Sequence, residues 1–165
     1  MRAEQGRAWP WLLSALAICV LDQLTKLAAS THLDYGVPLA VMPSFNLTLL
    51  HNTGAAFSML NDANGWQRWL FSGIALVVSC GVVGWLIRMD RSERWEACGL
   101  VLILGGAVGN LIDRLRLGYV VDFIQVYYQQ HSFPAFNVAD SAITVGAVML
   151  VLRSTLIGSR RQARH

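Results

Sequence analysis

Residues 136–152 read "FNVADSAITVGAVMLVL", a long apolar run that is headed by Asp140, with Asn137 three residues earlier. Such a run is typical of a helix that crosses a membrane, and it therefore decides the fold class. The acid at its start has two explanations. Either it caps the helix, where the helix dipole favours a negative charge, or it is a functional acid held at a membrane surface.

The composition is that of a membrane protein. Of the 165 residues, 55% are hydrophobic and only 14% are charged, whereas soluble domains carry about 25% charged residues. We therefore expect one integral membrane domain, mainly α-helical, over residues 1–165. The net charge is +3, and no basic run is interleaved with aromatic residues, so we expect no nucleic-acid partner. The cysteines and histidines lack CxxC or HExxH spacing, and we expect neither a disulfide nor a metal.

Four apolar segments predict transmembrane helices over residues 11–29, 69–87, 97–115 and 138–157. Each is close to the roughly 20 residues that cross roughly 30 Å of hydrocarbon. On one side of these spans lie nine arginines: Arg2, Arg7, Arg88, Arg91, Arg94, Arg153, Arg160, Arg161 and Arg164. The positive-inside rule therefore places both termini in the cytoplasm. Because the first apolar run continues to Ala29, we do not expect it to be a cleaved signal peptide.

Two longer segments, 31–68 and 116–136, face the other side of the membrane. Within them "SFNLTLLHN" (44–52) and "GYVVDFIQVYY" (118–128) are rich in β-branched and aromatic residues, which predicts extended strands. Between the first strand and the second helix, Phe57, Leu60 and Trp66 are placed to lie along a membrane surface.

The polar residues of the helices gather at one depth. At about 1.5 Å per residue, Asp22 lies roughly 16 Å beyond Trp11, and Asn110 lies roughly 21 Å beyond Glu96, both toward the outer side. The other polar residues expected at this level are Asn52, Asp113, Arg114, Asp122, Asn137 and Asp140. Ionisable groups at membrane depth are costly, and they are functional candidates by default.

Structural roles account for several of these residues. Asp22 and Lys26 are i,i+4 neighbours, for which a structural ion pair is a better explanation than catalysis. Asp113 and Arg114 can brace the end of the third helix. Asn137 is placed to be the N-cap of the fourth helix, a role that can coexist with substrate binding.

Asp122 is harder to explain structurally, because it lies in the apolar stretch "VVDF" without a basic neighbour in the local sequence. Two carboxyl groups that lie close together do not both ionise easily, so one keeps a proton while the other is a base. Such a pair can activate water against an amide bond, which is the chemistry of aspartic peptidases. A serine nucleophile at Ser58 or Ser141 is the weaker alternative. The sequence leaves open whether Asp122 and Asp140 touch.

Five blocks of sequence, in order, resemble a known family. They are "LDQLTK" (21–26), "NTGAAFS" (52–58), "GGAVGNLIDRL" (105–115), "VVDF" (120–123) and "FNVADS" (136–141). With four predicted spans around them, the chain resembles the bacterial lipoprotein signal peptidase (signal peptidase II) family over nearly its whole length. The glycines Gly105 and Gly109 of the third block also form a GxxxG step that lets another helix approach closely.

The resemblance implies a membrane aspartic peptidase that removes the signal peptide from prolipoproteins, after a diacylglyceryl group has been attached to the cysteine that becomes the new N-terminus. It implies catalysis by Asp122 and Asp140 without a cofactor. The residues that it implies for binding the substrate, or the cyclic peptide antibiotic globomycin, are Asn52, Gly106, Asn110, Arg114 and Asn137. Asp22, Lys26 and Asp113 are then structural supports.

The resemblance also implies a small extramembrane β-cradle and a mobile amphipathic helix around Phe57 that lies over the site. The active site is expected at the periplasmic face of the inner membrane. The expected partners are diacylglyceryl prolipoproteins and membrane lipid, and the chain is expected to be a monomer.

Two other classes of membrane protein fit the sequence less well. A small proton-coupled transporter would relay protons through Asp22, Lys26, Asp113 and Asp140. Such a relay requires polar residues through the full depth of the membrane. The second helix and the inner halves of the third and fourth are apolar instead. A non-enzymatic membrane assembly protein would not explain why the polar residues converge at one level.

Overall fold

The computed structural model describes residues 8–54, 65–90 and 92–162. Over these residues the elements follow in the order α1 (Trp9–His32), β1 (Leu39–Met42), β2 (Phe45–Asn52), α2 (Trp66–Arg88), α3 (Arg94–Arg116), β3 (Val120–Tyr128), β4 (His131–Ser132) and α4 (Val138–Gln162). The helices α1, α2 and α3, and residues Val138–Leu156 of α4, are long and apolar enough to cross a membrane. This confirms the four predicted transmembrane helices, and each predicted range lies inside one of them.

Helix α3 is the centre of the bundle, because α1, α2 and α4 all pack against it. Glycines in α3 allow α1 and α4 to pack closely against it. A Cβ atom at Gly105 would lie 2.8 Å from the carbonyl oxygen of Ala15 in α1, and one at Gly106 would overlap that of Ala139 in α4. The predicted small-residue surface is therefore a helix contact on two sides. Outward-facing positions are apolar and exposed, as at Val77 with 72% exposure, which suits contact with lipid.

The two extramembrane segments form an antiparallel sheet with the strand order β1-β2-β3-β4. Its central pair, β2 and β3, confirms the strands predicted within 44–52 and 118–128. In this pair Leu50 lies opposite Asp122. The buried face of the sheet packs against Ala29 near the end of α1. The sheet therefore lies at the end of the bundle where α1 ends and α4 begins.

An amphipathic helix around Phe57 was predicted between β2 and α2. Phe57 and Leu60, on which that prediction rests, lie outside the residues that the structure describes. Trp66 is the first residue of α2, where it and Trp69 are exposed and suit the aromatic belt of a membrane interface. The assignment of the whole chain to one domain stays a prediction.

Candidate active site

Asp122 lies on β3 and is 2% exposed. Both of its carboxylate oxygens accept a hydrogen bond from an amide side chain. Oδ1 accepts from Nδ2 of Asn137 at 2.7 Å, and Oδ2 accepts from Nδ2 of Asn52 at 3.0 Å. The N–H of Gly54 donates to Oδ1 of Asn52 at 3.1 Å, which orients the Asn52 amide so that its donor end faces Asp122. The sheet thus holds a nearly dehydrated carboxyl group in one position.

Asp140 lies in the first turn of α4 and is part of a helix cap. The N–H of Asp140 donates to Oδ1 of Asn137 at 2.9 Å, and Oδ2 of Asp140 accepts the N–H of Asn137 at 3.3 Å. This reciprocal pair is a capping box, and it confirms the predicted N-cap at Asn137. The other oxygen of Asp140 is engaged outside the cap, since it accepts from Nδ2 of Asn110 at 2.8 Å. Capping therefore leaves this acid free to face the polar residues of α3.

Asn137 links the two acids, and it is 0% exposed. Its side-chain amide donates to Asp122, while its backbone N–H donates to Asp140. The same amide nitrogen lies 3.2 Å from the carbonyl oxygen of Val121 and 3.3 Å from Oδ1 of Asn110. One buried residue thus connects carboxyl groups from a strand and a helix. We refer to Asp122 and Asp140 together as the acid pair.

The pKa of Asp122 is raised to about 7, first because its carboxyl group is buried and second because Asp140 is negatively charged nearby. The hydrogen bonds from Asn52 and Asn137 oppose this shift, because they stabilise the ionised form. Asp122 therefore exchanges a proton near neutral pH. A carboxyl group with such a pKa is suited to general acid–base chemistry.

A buried group of charges, the Lys26 cluster of Asp22, Lys26 and Asp113, lies next to these residues. The Lys26 ammonium is 2.8 Å from Oδ2 of Asp22 and 2.9 Å from Oδ2 of Asp113, and no side chain of the three is more than 4% exposed. The predicted ion pair of Asp22 with Lys26 is confirmed. In place of the expected brace with Arg114, Asp113 pairs with Lys26 on α1, because successive residues on a helix do not face each other. The Arg114 guanidinium lies 5.4 Å from the Phe71 ring.

Two cavities border the acid pair. The sheet-side cavity has a volume of about 650 Å³, and its lining includes Tyr35, His51, Asp122, Gln125 and His131. The helix-side cavity has a volume of about 620 Å³, and its lining is more apolar and includes Arg114, Val126, Phe136, Asp140 and Ile143. Asn52 and residues 133–135 line both, so the cavities adjoin beside the acid pair.

Four of the five residues implied for substrate binding fall into two groups. Asn52 and Arg114 line a cavity, while Asn110 and Asn137 bind the acid pair. Gly106 lies one turn before Asn110, against the Ala139 carbonyl, and is not among the described residues that line either cavity. The structure gives Gly106 a packing role, and its contact with substrate stays a prediction.

Two residues at the site were not anticipated from the sequence. Gln23 donates to Oδ1 of Asp113 at 2.8 Å, and its only sequence signal is its place inside "LDQLTK". His51 stacks on Tyr119 with ring centroids 4.0 Å apart. Its only sequence signal is that it directly precedes Asn52 on a predicted strand. Within the described ranges, no group of three or more His, Cys, Asp or Glu side chains is arranged to hold a metal ion.

The fold and the site together define the class of this protein, a multi-pass membrane enzyme whose acid pair lies at one end of its helices. Sequence comparison then gives the particular family. The profile of signal peptidase (SPase) II matches residues 14–156. The chain belongs to the signal peptidase II family.

Individual relatives agree with this assignment. A lipoprotein signal peptidase from Acinetobacter baylyi is 56% identical over 155 residues, which cover 93% of this chain and 86% of the relative. One from Pseudomonas putida is 58% identical over 147 residues, which cover 88% and 85%. A solved structure, described as that of a bacterial membrane enzyme, superposes with a TM-score of 0.84 at 28% identity and covers 97% of this chain and 96% of that one. The predicted family and fold are confirmed, and the transporter and assembly alternatives are not favoured.

Proposed function

We propose that this protein is a membrane aspartic endopeptidase that removes the signal peptide from diacylglyceryl-modified prolipoproteins. The bond that it cuts precedes the lipidated cysteine. The observation that carries the proposal is the acid pair, in which the buried Asp122 is joined to the half-buried Asp140 through Asn137. Membership of the signal peptidase II family and the names of the relatives support the choice of substrate.

The two acids have different surroundings, and we assign them different roles. Asp122 carries the shared proton at rest, because burial raises its pKa to about 7. Asp140 is the base. Its negative charge accepts N–H donors from Asn110 and Asn137 and lies in the first turn of α4, where the helix dipole favours an anion.

Hydrolysis then proceeds in two steps. As the oxygen of a water molecule attacks the scissile carbonyl carbon, Asp140 takes a proton from that water and Asp122 gives its proton to the carbonyl oxygen. When the resulting diol collapses, one hydroxyl returns a proton to Asp122, the C–N bond breaks, and the proton on Asp140 passes to the leaving nitrogen. The products are a signal peptide with a new carboxyl terminus and a lipoprotein with a free amine on its cysteine.

The two cavities differ in polarity, as do the two sides of the bond that is cut in such a substrate. The helix-side cavity is the more apolar, with Val126, Phe136 and Ile143 in its lining, which suits the apolar end of the signal peptide. The sheet-side cavity carries the polar and aromatic groups that suit the residues after the cysteine. Arg114 orients the substrate and stabilises developing negative charge. The lipid chains, lying against the bilayer, hold the scissile bond at the acid pair by proximity, and globomycin competes for the same cavities.

The orientation that we propose puts both termini in the cytoplasm and the acid pair at the periplasmic face of the cytoplasmic (inner) membrane. Arg88 and Arg94 lie at the end of α2 and the start of α3, away from the sheet, and Arg153 lies toward the corresponding end of α4. Basic residues mark the cytoplasmic side of membrane proteins. We propose that the chain acts as a monomer.

The test uses cells that lack their own signal peptidase II and follows a lipidated prolipoprotein on a gel. Asp122→Asn and Asp140→Asn should each leave the precursor uncut, while the variant protein accumulates in the membrane as the wild type does. Asp34→Asn is the matched control, because Asp34 is an exposed aspartate in the segment between α1 and β1, and it should process normally. Complete processing by either variant of the acid pair would refute the proposal.

A further inference from the structure

Lys26 is 3% exposed, and each of the three hydrogen-bond donors of its ammonium has an acceptor. The ammonium lies 2.8 Å from Oδ2 of Asp22 and 2.9 Å from Oδ2 of Asp113. The third acceptor is Oδ1 of Asn110 at 2.8 Å. A buried cation that is fully satisfied in this way fixes the positions of its partners.

The two carboxylates bound to Lys26 reach the acid pair through the backbone. Oδ1 of Asp22 accepts the N–H of Ala139 at 2.9 Å, and Ala139 directly precedes Asp140. Oδ2 of Asp113 accepts the N–H of Val121 at 3.1 Å, and Val121 directly precedes Asp122. One ammonium thus ties the backbone before one acid, on α4, to the backbone before the other, on β3.

The third acceptor reaches Asp140 through a side chain. Because Lys26 can only donate, it holds the carbonyl end of the Asn110 amide, and the NH₂ end must point away from the ammonium. That end donates to Oδ1 of Asp140 at 2.8 Å. All three contacts of the ammonium therefore lead to a residue of the acid pair or to its immediate neighbour.

We propose that Lys26 is a positioning residue for the peptidase reaction, which sets the placement of both members of the acid pair and the orientation of Asn110. The inference rests on the function proposed above. It goes beyond a structural ion pair, because a brace between helices affects only how many molecules fold, whereas a positioning residue affects the rate of those that do. A misplacement of about 1 Å at a reacting group can cost about 10²-fold in rate.

The experiment compares purified full-length variants in detergent on a diacylglyceryl prolipopeptide. Lys26→Met removes the ammonium but leaves two buried carboxylates unpaired. The second variant, Lys26→Met with Asp22→Asn and Asp113→Asn, is neutral throughout and retains side-chain oxygens that can accept the two backbone N–H groups. Replacing a buried ionic group by neutral residues often leaves stability unchanged. For both we expect kcat per folded molecule to fall at least about 10-fold, with KM within about 3-fold of wild type.

Glu96→Gln is the matched control. It breaks the pair in which Nε of Arg153 lies 2.6 Å from Glu96, between α3 and α4 away from the acid pair. It should lower thermal stability slightly and leave kcat unchanged. A folded Lys26→Met or neutral variant with kcat within about 2-fold of wild type would overturn the proposal. Failure to recover the neutral triple variant in folded form would also overturn it, because the Lys26 cluster would then be needed for folding. If the wild type itself leaves the peptide uncut, it is the proposed function that fails.

Discussion

Substitution of Asn137 separates its two roles at the site. Asn137→Ser keeps a side-chain oxygen of the kind that caps helices well, but it removes the amide that donates to Asp122 at 2.7 Å. Asn137→Ala removes both the cap and the amide donor. A difference in stability between the two variants therefore measures the contribution of the cap. A difference in kcat between Asn137→Ser and wild type measures the contribution of the amide donor.

The magnitudes follow from these contacts. A hydrogen bond to a charged group contributes about 1.5–3 kcal/mol, which corresponds to about 10- to 100-fold in kcat when the bond positions Asp122 in the transition state. An N-cap contributes about 1 kcal/mol to stability. We expect both variants to share the loss of kcat, and Asn137→Ala to unfold at a lower temperature than Asn137→Ser.

The pH profile gives a second, independent readout. The bond from Asn137 lowers the pKa of Asp122, because it stabilises the ionised carboxylate. Its removal raises that pKa, so the alkaline limb of kcat/KM should move to higher pH in both variants. The assay measures thermal unfolding, kcat and kcat/KM against pH on purified protein. Wild-type kcat in folded Asn137→Ser, or an alkaline limb that moves to lower pH, would refute the reasoning.

Two further outcomes follow from the structure. For the wild type, kcat/KM should decline as the pH rises through about 7, because Asp122 must carry a proton and its pKa is raised to about 7; a profile that stays flat through neutral pH would contradict the assigned role. Gly106→Val should destabilise the protein by about 1–3 kcal/mol, because a Cβ atom there would press on the Ala139 carbonyl. Gly81→Val in α2, where nothing lies within 4 Å of such an atom, is its control, and equal unfolding temperatures would refute the packing role.

Hydropathy predicted the four helices because a lipid-crossing segment must be apolar along its whole length. The prediction began α2 three residues late, because Gln67 and Arg68 at its start are polar and interrupt the apolar run. Strand β1, Leu39–Met42, was not predicted. All four of its residues are exposed, and its conformation depends on pairing with β2, which a local pattern does not reveal.

At the site, too, local contacts could be predicted from the sequence and long-range contacts could not. The cap formed by Asn137 and Asp140 was predictable, because its bonds join residues three apart on one helix. The bond from the Asn137 amide to Asp122 was not, because it depends on β3 lying beside the start of α4. Depth along the helices placed Asp22, the i,i+4 neighbour of Lys26, and Asp113 at one level. The pairing of Lys26 with Asp113 also needed the rotation of each helix about its axis, which spacing within one helix does not supply.

The most direct test of the central claim is a single-turnover cleavage of a diacylglyceryl prolipopeptide by purified protein, with both products identified by mass spectrometry. We predict one cut, directly before the lipidated cysteine, for the wild type and for Asp34→Asn. Folded Asp122→Asn and Asp140→Asn should give no product in the same time. Cleavage at that bond by either of the last two variants, at a rate near that of the wild type, would contradict catalysis by the acid pair.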